Sequence, residues 1–256
     1  MNRIETLFQA KQQNILNVYC TAGFPQLNST LEVMGALQQS GADMIELGMP
    51  YSDPLADGPV IQQSNGVALH NGMTIQTLFD QLRGFRHKIY LPVLLMGYMN
   101  PVLQYGFERF CQQAADVAVD GIILPDLPMY EYETEYGAHM RKYGLSFVFL
   151  VTPETSEERI RKIDEMSSGF IYAVSSSSTT GKNIDMTHQQ AYFQRLQSMK
   201  LRNPVLVGFG IKDRETFAGA CRYASGAIIG SAYIRALQQS GGEIPEATKA
   251  FLEEII

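Results

Sequence analysis

The 256-residue sequence is poor in charge and in cysteine, and both shortages exclude whole classes of function. Charged residues make up 18% of it, a low share that suits strands buried on both faces. The 20 lysines and arginines are scattered and outnumbered by 26 aspartates and glutamates, for a net charge of −6. Without a basic stripe, no nucleic acid and no membrane surface is expected as a partner. An anionic ligand has to be held locally, by backbone amides and helix ends. The three cysteines, Cys20, Cys111 and Cys221, are far apart and form no CxxC pair, so they read as reduced thiols in a reducing compartment. The longest apolar run, 90–99, is interrupted by Pro92 and Gly97 and is too short to span a bilayer. The opening residues lack the apolar core and cleavage site of a secretion signal. Instead Ile4, Leu7 and Phe8 stand at helical spacing, which predicts a short N-terminal helix. A cytoplasmic protein is expected.

Linkers, charge blocks, low-complexity tracts and sequence repeats are also missing, so the expectation is a single domain over 1–256. Apolar residues, at 45%, are ample for one large core. Short apolar runs alternate with longer amphipathic stretches. The predicted strands are Leu16–Thr21, Met44–Leu47, Pro92–Leu95, Gly121–Leu124, Phe147–Val151, Phe170–Val174, Val205–Val207 and Ala227–Ile229. Predicted helices include Thr30–Gln39, Phe107–Asp116, Glu131–Tyr143, Glu157–Met166, Gln189–Lys200 and Asp213–Tyr223, with Thr155 or Ser156 and Asp213 as start signals. Strand then helix, repeated about eight times, predicts an α/β fold of the (β/α)8 TIM-barrel type with an extra N-terminal helix. A doubly wound open sheet is the competing architecture. The serine run Ser175–Ser178 reads as a loop.

Several catalytic patterns are absent. His70, His87, His139 and His188 have no metal-ligand spacing with one another or with cysteine, so no metal is expected. There is no Gly-x-Ser-x-Gly, which disfavours a serine hydrolase. The predicted strand ends carry no lysine, which argues against a Schiff-base aldolase. Gly208-Phe209-Gly210 lacks the third glycine of a dinucleotide fingerprint, and Thr180-Gly181-Lys182 lacks both the first glycine and the trailing hydroxyl of a P-loop. Acid–base chemistry without an organic cofactor on this chain is what remains.

Barrel chemistry sits on the loops after strand C-termini, and that rule selects three features. Glu46 is an acid flanked by apolar strand residues, pointing either into the barrel or out at the helix layer. Both sites raise a carboxyl pKa, although a structural acid bonded to a neighbouring group fits the same pattern. The next loop, Pro50-Tyr51-Ser52-Asp53-Pro54-Leu55-Ala56-Asp57-Gly58-Pro59, sets two acids between stiff prolines and leads into a helix. Its aspartates serve equally well as helix caps. Beside Glu46, however, they offer two carboxyls in different environments, as a distinct acid and base require. The third feature is the set of turns at Ser178-Thr179-Thr180-Gly181, Gly208-Phe209-Gly210 and Gly230-Ser231-Ala232. Three such turns at consecutive strand ends suit a phosphate dianion.

Together these blocks resemble the tryptophan synthase α chain family along essentially the whole sequence. The most specific stretch is Glu46 to Pro59, supported by Leu94-Leu95-Met96-Gly97-Tyr98-Met99-Asn100-Pro101, by Asp120 to Pro128 and by Val207 to Ile211. The resemblance implies a lyase that splits indole-3-glycerol phosphate into indole and glyceraldehyde 3-phosphate by retro-aldol cleavage. It implies Glu46 as the general acid/base and Asp57 as the second catalytic carboxylate. It further implies Tyr172, Phe24, Leu95, Ile123 and Leu150 as substrate contacts, and Gly181, Gly210, Gly230 and Ser231 as phosphate ligands. A pyridoxal-phosphate β chain is the implied partner, in an α2β2 complex, with Asp53 and Thr180 coupling the two sites. The sixth loop departs from the Gly-Val-Thr-Gly of many relatives: it reads Ser178-Thr179-Thr180-Gly181, keeping the threonine and the last glycine.

Overall fold

The computed structural model describes residues 2–174, 186–208 and 210–256, without the side chains of 186–188. Nine short strands run parallel: β1 (Ile15–Thr21), β2 (Met44–Gly48), β3 (Val93–Met96), β4 (Gly121–Ile123), β5 (Ser146–Phe147), β6 (Leu150–Val151), β7 (Ile171–Val174), β8 (Val205–Gly208) and β9 (Gly226–Ile229). Their order is β5-β4-β3-β2-β1-β9-β8-β7-β6. The two ends of that series are pieces of one extended segment, separated only by Val148 and Phe149. Val148 N–H donates to Ile122 O at 3.1 Å on one side, and Tyr172 N–H donates to Phe149 O at 3.0 Å on the other. The segment therefore bonds to both neighbours, and the sheet closes into eight staves with no free edge. That closure settles the choice against an open doubly wound sheet.

Side-chain alternation divides the core in two. Ile15, Met44, Leu94, Val148, Phe170, Leu206 and Ile228 fill the barrel interior. Ile45, Leu47, Leu95, Ile122 and Val207 face outward and pack under the helices. The N-terminal helix Arg3–Ala10 closes the lower end, with Ile4 fully buried and Leu7 and Phe8 packed against the interior cluster. Its capping box pairs Asn2 with Glu5.

Helices Thr30–Gln39, Phe107–Asp116 and Glu157–Met166 have the predicted bounds, and Ser156 and Asp213 cap the helices they precede. The predicted Glu131–Tyr143 helix is instead three pieces: Met129–Glu131, a π turn over Tyr132–Tyr136, and Gly137–Lys142. The π turn forms because Gly137 N–H bonds back to Tyr132 O, an approach that a Cβ at position 137 would obstruct. Ser175–Ser178 lie outside the described residues.

Candidate active site

Glu46 points into the barrel. It shares a face of β2 with Met44 of the interior, while Ile45 and Leu47 belong to the outer core. It is fully buried. Asn17 of β1 donates to its Oε1 at 2.6 Å, and Oε2 is buried with no hydrogen-bond partner among the described residues. Burial pushes the carboxyl up to about 8, against the opposing pull of the Asn17 amide. At neutral pH Glu46 carries a proton that it can release and recover.

Asp57 occupies the loop above the same strand. Its N–H bonds to Pro54 O at 3.0 Å, and Gly58 and Pro59 then open the helix Pro59–His70. It is not the helix cap: the N-cap is Gly58, which makes no side-chain cap bond. The Asp57 carboxylate instead accepts the Tyr98 hydroxyl proton at 3.0 Å, and the same hydroxyl accepts from Ala56 N–H at 3.1 Å. Desolvation raises Asp57 to about 6, with the Tyr98 bond holding it down. Tyr98 is itself positioned by the next residue: Met99 N–H donates to both carboxylate oxygens of Asp126, each at 3.0 Å. Asp53 is exposed on the same loop, 2.5 Å from the Ser52 hydroxyl, and Leu55 beside it is 90% exposed.

Tyr172 joins the two acids. Burial, then the charges of Glu46 and Asp57, raise its hydroxyl well above the usual phenol range, so both carboxyls lie within electrostatic reach of one ring. The ring passes over Gly208 of β8, where any Cβ would overlap it. On the opposite wall Tyr19, paired in register with Glu46, passes over Gly48 in the same way. Ile123 belongs to the interior cluster, and Leu150 packs against it. Leu95 does neither. It is in register with outward-facing Leu47, so the apolar wall beside Glu46 on β3 comes from Leu94, its register partner, and from Met96. Phe24 is buried with the outer core after β1, joined to Pro25 by a cis peptide, and the aromatic of β1 that feels the charge of Asp57 is Tyr19.

The turns of Gly210 and Gly230 lie at the same end of the barrel. Gly210 follows β8 with φ +78°, in the left-handed region. Gly230 is the N-cap of helix Ser231–Gln239 and provides no side-chain cap, which leaves the amides of its first turn for another acceptor. Thr180 and Gly181 lie outside the described residues. Asn17, Tyr19 and Tyr98 were not singled out from sequence. Asn17 had a signal, since it is the one amide in the apolar run of β1.

A closed parallel barrel with one carboxyl held neutral in its interior and another fixed on a loop at the same end is the arrangement of an acid–base barrel enzyme. Comparison with known proteins narrows that class. The family model "Tryptophan synthase alpha chain" matches residues 6–255. A tryptophan synthase alpha chain of Flavobacterium johnsoniae is 53% identical over 96% of this chain and 98% of its own length. One from Parabacteroides distasonis is 50% identical over 100% and 99%. Among solved structures, tryptophan synthase subunit alpha of Legionella pneumophila superposes with a TM-score of 0.90 at 35% identity, covering 100% of this chain and 97% of that one. The chain belongs to the tryptophan synthase alpha chain family, whose members are enzyme subunits of tryptophan biosynthesis.

Proposed function

We propose that this chain is the lyase half of a two-chain synthase and cleaves indole-3-glycerol phosphate to indole and glyceraldehyde 3-phosphate. The observation that carries this reading is Glu46: a carboxyl buried in an apolar barrel, pushed up to about 8, with one oxygen left without a hydrogen-bond partner among the described residues. Retro-aldol cleavage needs a proton delivered to the indole ring carbon that bears the side chain and another removed from the adjacent glycerol hydroxyl. The bonding pair between the two carbons then stays with the indole, and the hydroxyl carbon becomes the aldehyde. No net proton is gained or lost. One carboxyl whose pKa lies near the working pH serves both transfers.

Asp57 accepts a hydrogen bond from the indole N–H and stabilises the positive charge that develops when the ring is protonated. Ile123, Leu150 and Tyr172 line the indole pocket, with Leu94 and Met96 taking the place expected for Leu95. Gly210, Gly230 and Ser231 hold the phosphate through backbone amides and the helix N-terminus, and the resemblance adds Gly181. The partner is a β chain that carries pyridoxal phosphate, in an α2β2 complex. Asp53 and the bare Leu55 side chain on the loop of Asp57 face it, and the resemblance adds Thr180. The chain acts as one barrel domain over 1–256, in the cytoplasm; no helix among the described residues is long and apolar enough to cross a membrane.

The test is indole release from indole-3-glycerol phosphate by the pure chain, measured alone and with a β chain. Release that rises on adding the β chain is expected. No indole under either condition would refute the reaction, and an unchanged rate with no gain in sedimenting mass would refute the partnership.

A further inference from the structure

We propose that Asn17 is a positioning residue for Glu46, fixing Oε1 as an acceptor so that Oε2 is the oxygen that carries and hands over the proton. The assignment deepens the proposed reaction and rests on it for its catalytic meaning.

Asn17 and Tyr19 both face the barrel interior from β1, and the neighbour of Glu46 on its other side is apolar Leu94. The Asn17 amide is thus the hydrogen-bonding group that the structure gives Glu46, at 2.6 Å to Oε1. An amide N–H can only donate, so the oxygen it holds is the one that does not bear the proton. The proton sits on Oε2, which is buried with no hydrogen-bond partner among the described residues. The donor has a second effect. Burial alone would drive the carboxyl so high that it could give a proton but not take one from a hydroxyl. A donor on Oε1 favours the ionised form and keeps both transfers within reach.

A purely structural role fits the site poorly. Asn17 is itself fully buried, and its Oδ1 has no partner. An unpaired buried amide oxygen costs stability rather than adding to it. An aliphatic residue would suit a strand whose neighbours are Leu16 and Val18. The titratable groups that feel the charge of Glu46 are Cys20 on β1 and Tyr172 on β7, while Tyr19, in register with Glu46, feels that of Asp57 on the loop above β2.

The experiment follows the Glu46 side-chain carboxyl by 13C NMR in the full chain labelled with 13C-glutamate, assigned by its disappearance in Glu46→Gln. Asn17→Leu removes the donor, and Asn17→Val removes it with a smaller side chain suited to a strand should the leucine variant not fold. Both are expected to raise the Glu46 midpoint by about one to two pH units. The limb of the kcat profile set by Glu46 should move with it, while the KM for indole-3-glycerol phosphate holds. An unchanged midpoint overturns the proposal. So does a fall, because an amide turned the other way would accept from the protonated carboxyl and raise its pKa in the wild type. The NMR readout needs no substrate: a shifted midpoint in a chain that releases no indole would support the carboxyl assignment and refute only the reaction.

Discussion

A carboxyl held neutral at neutral pH has a cost that shows in folding. Glu46 titrates near 4.5 when the chain is unfolded and near 8 when folded. Below pH 4.5 both states are protonated and the fold is unaffected. Between 4.5 and 8 the unfolded chain ionises and the folded one does not, so stability falls with rising pH and levels off above 8. The fall is of order 5 kcal/mol. Glu46→Gln cannot titrate there, so its urea midpoint should lack this share of the decline, while indole release drops by at least about a hundredfold. A midpoint that tracks the wild type across pH 5 to 8 would show that Glu46 is not the neutral group. Burial raises Asp57 as well, and the Tyr98 hydroxyl opposes that rise. In Tyr98→Phe the carboxylate loses a donor, and its pKa should climb from about 6 by roughly one unit. The acid limb of kcat/KM for indole release then moves up by the same interval, and an unmoved limb would separate Tyr98 from Asp57. Both acids were legible in the sequence, because an acid inside an apolar strand and an acid between prolines are local patterns. Tyr98 was not, and Asn17 stood out only as an amide in an apolar strand, because the roles of both depend on which strand lies beside which.

Elements show the same division between local and non-local causes. Helices such as Glu157–Met166 have caps and apolar spacing written within their own residues, and their limits could be read directly. The helix Met99–Tyr105 has Pro101 inside its first turn, and Met99 N–H is satisfied by Asp126 from the next stave; no window of sequence contains that contact. Leu95 was misassigned for a related reason. Two consecutive leucines leave the facing residue undecided until the register with Glu46 and Leu47 is known. Strand-end glycines belong to this scale too. Gly208 lacks a side chain so that the Tyr172 ring can cross β8. Gly208→Ala forces the ring aside, and a stability loss of about 1–3 kcal/mol is expected with it. With Tyr172 in its proposed place beside the indole, KM for indole-3-glycerol phosphate should rise as well. Steady-state kinetics with wild-type KM would show that the ring has another place to go.

At the scale of the whole molecule the barrel has two ends with different duties. The upper end keeps carboxyls in environments that raise their pKa, at the expense of folding. The lower end holds a buried charge cluster that is fully paired. Asp120, 3% exposed, accepts from Arg86 Nη2 at 2.5 Å, Arg3 Nη1 at 3.0 Å and Val93 N–H at 2.9 Å. Its backbone carbonyl accepts from Asn2 at 2.7 Å, which fastens the N-terminal helix beneath the interior core. Arg86 also reaches Ala118 O at 3.0 Å and Leu91 O at 2.6 Å, so one guanidinium ties the turns before β3 and β4 together. Removing the carboxylate would leave Arg86 largely buried with its charge uncompensated, which in such sites costs about 3–5 kcal/mol. Asp120→Ala is therefore expected to lower the urea unfolding midpoint markedly. The kcat and KM of indole release should stay at wild-type values below the transition, because the lesion lies at the strand N-termini, away from the loops of Glu46 and Asp57. A loss of kcat at full folding would mean that the lower clamp sets the geometry of the upper site, and that the two ends of the barrel are not independent.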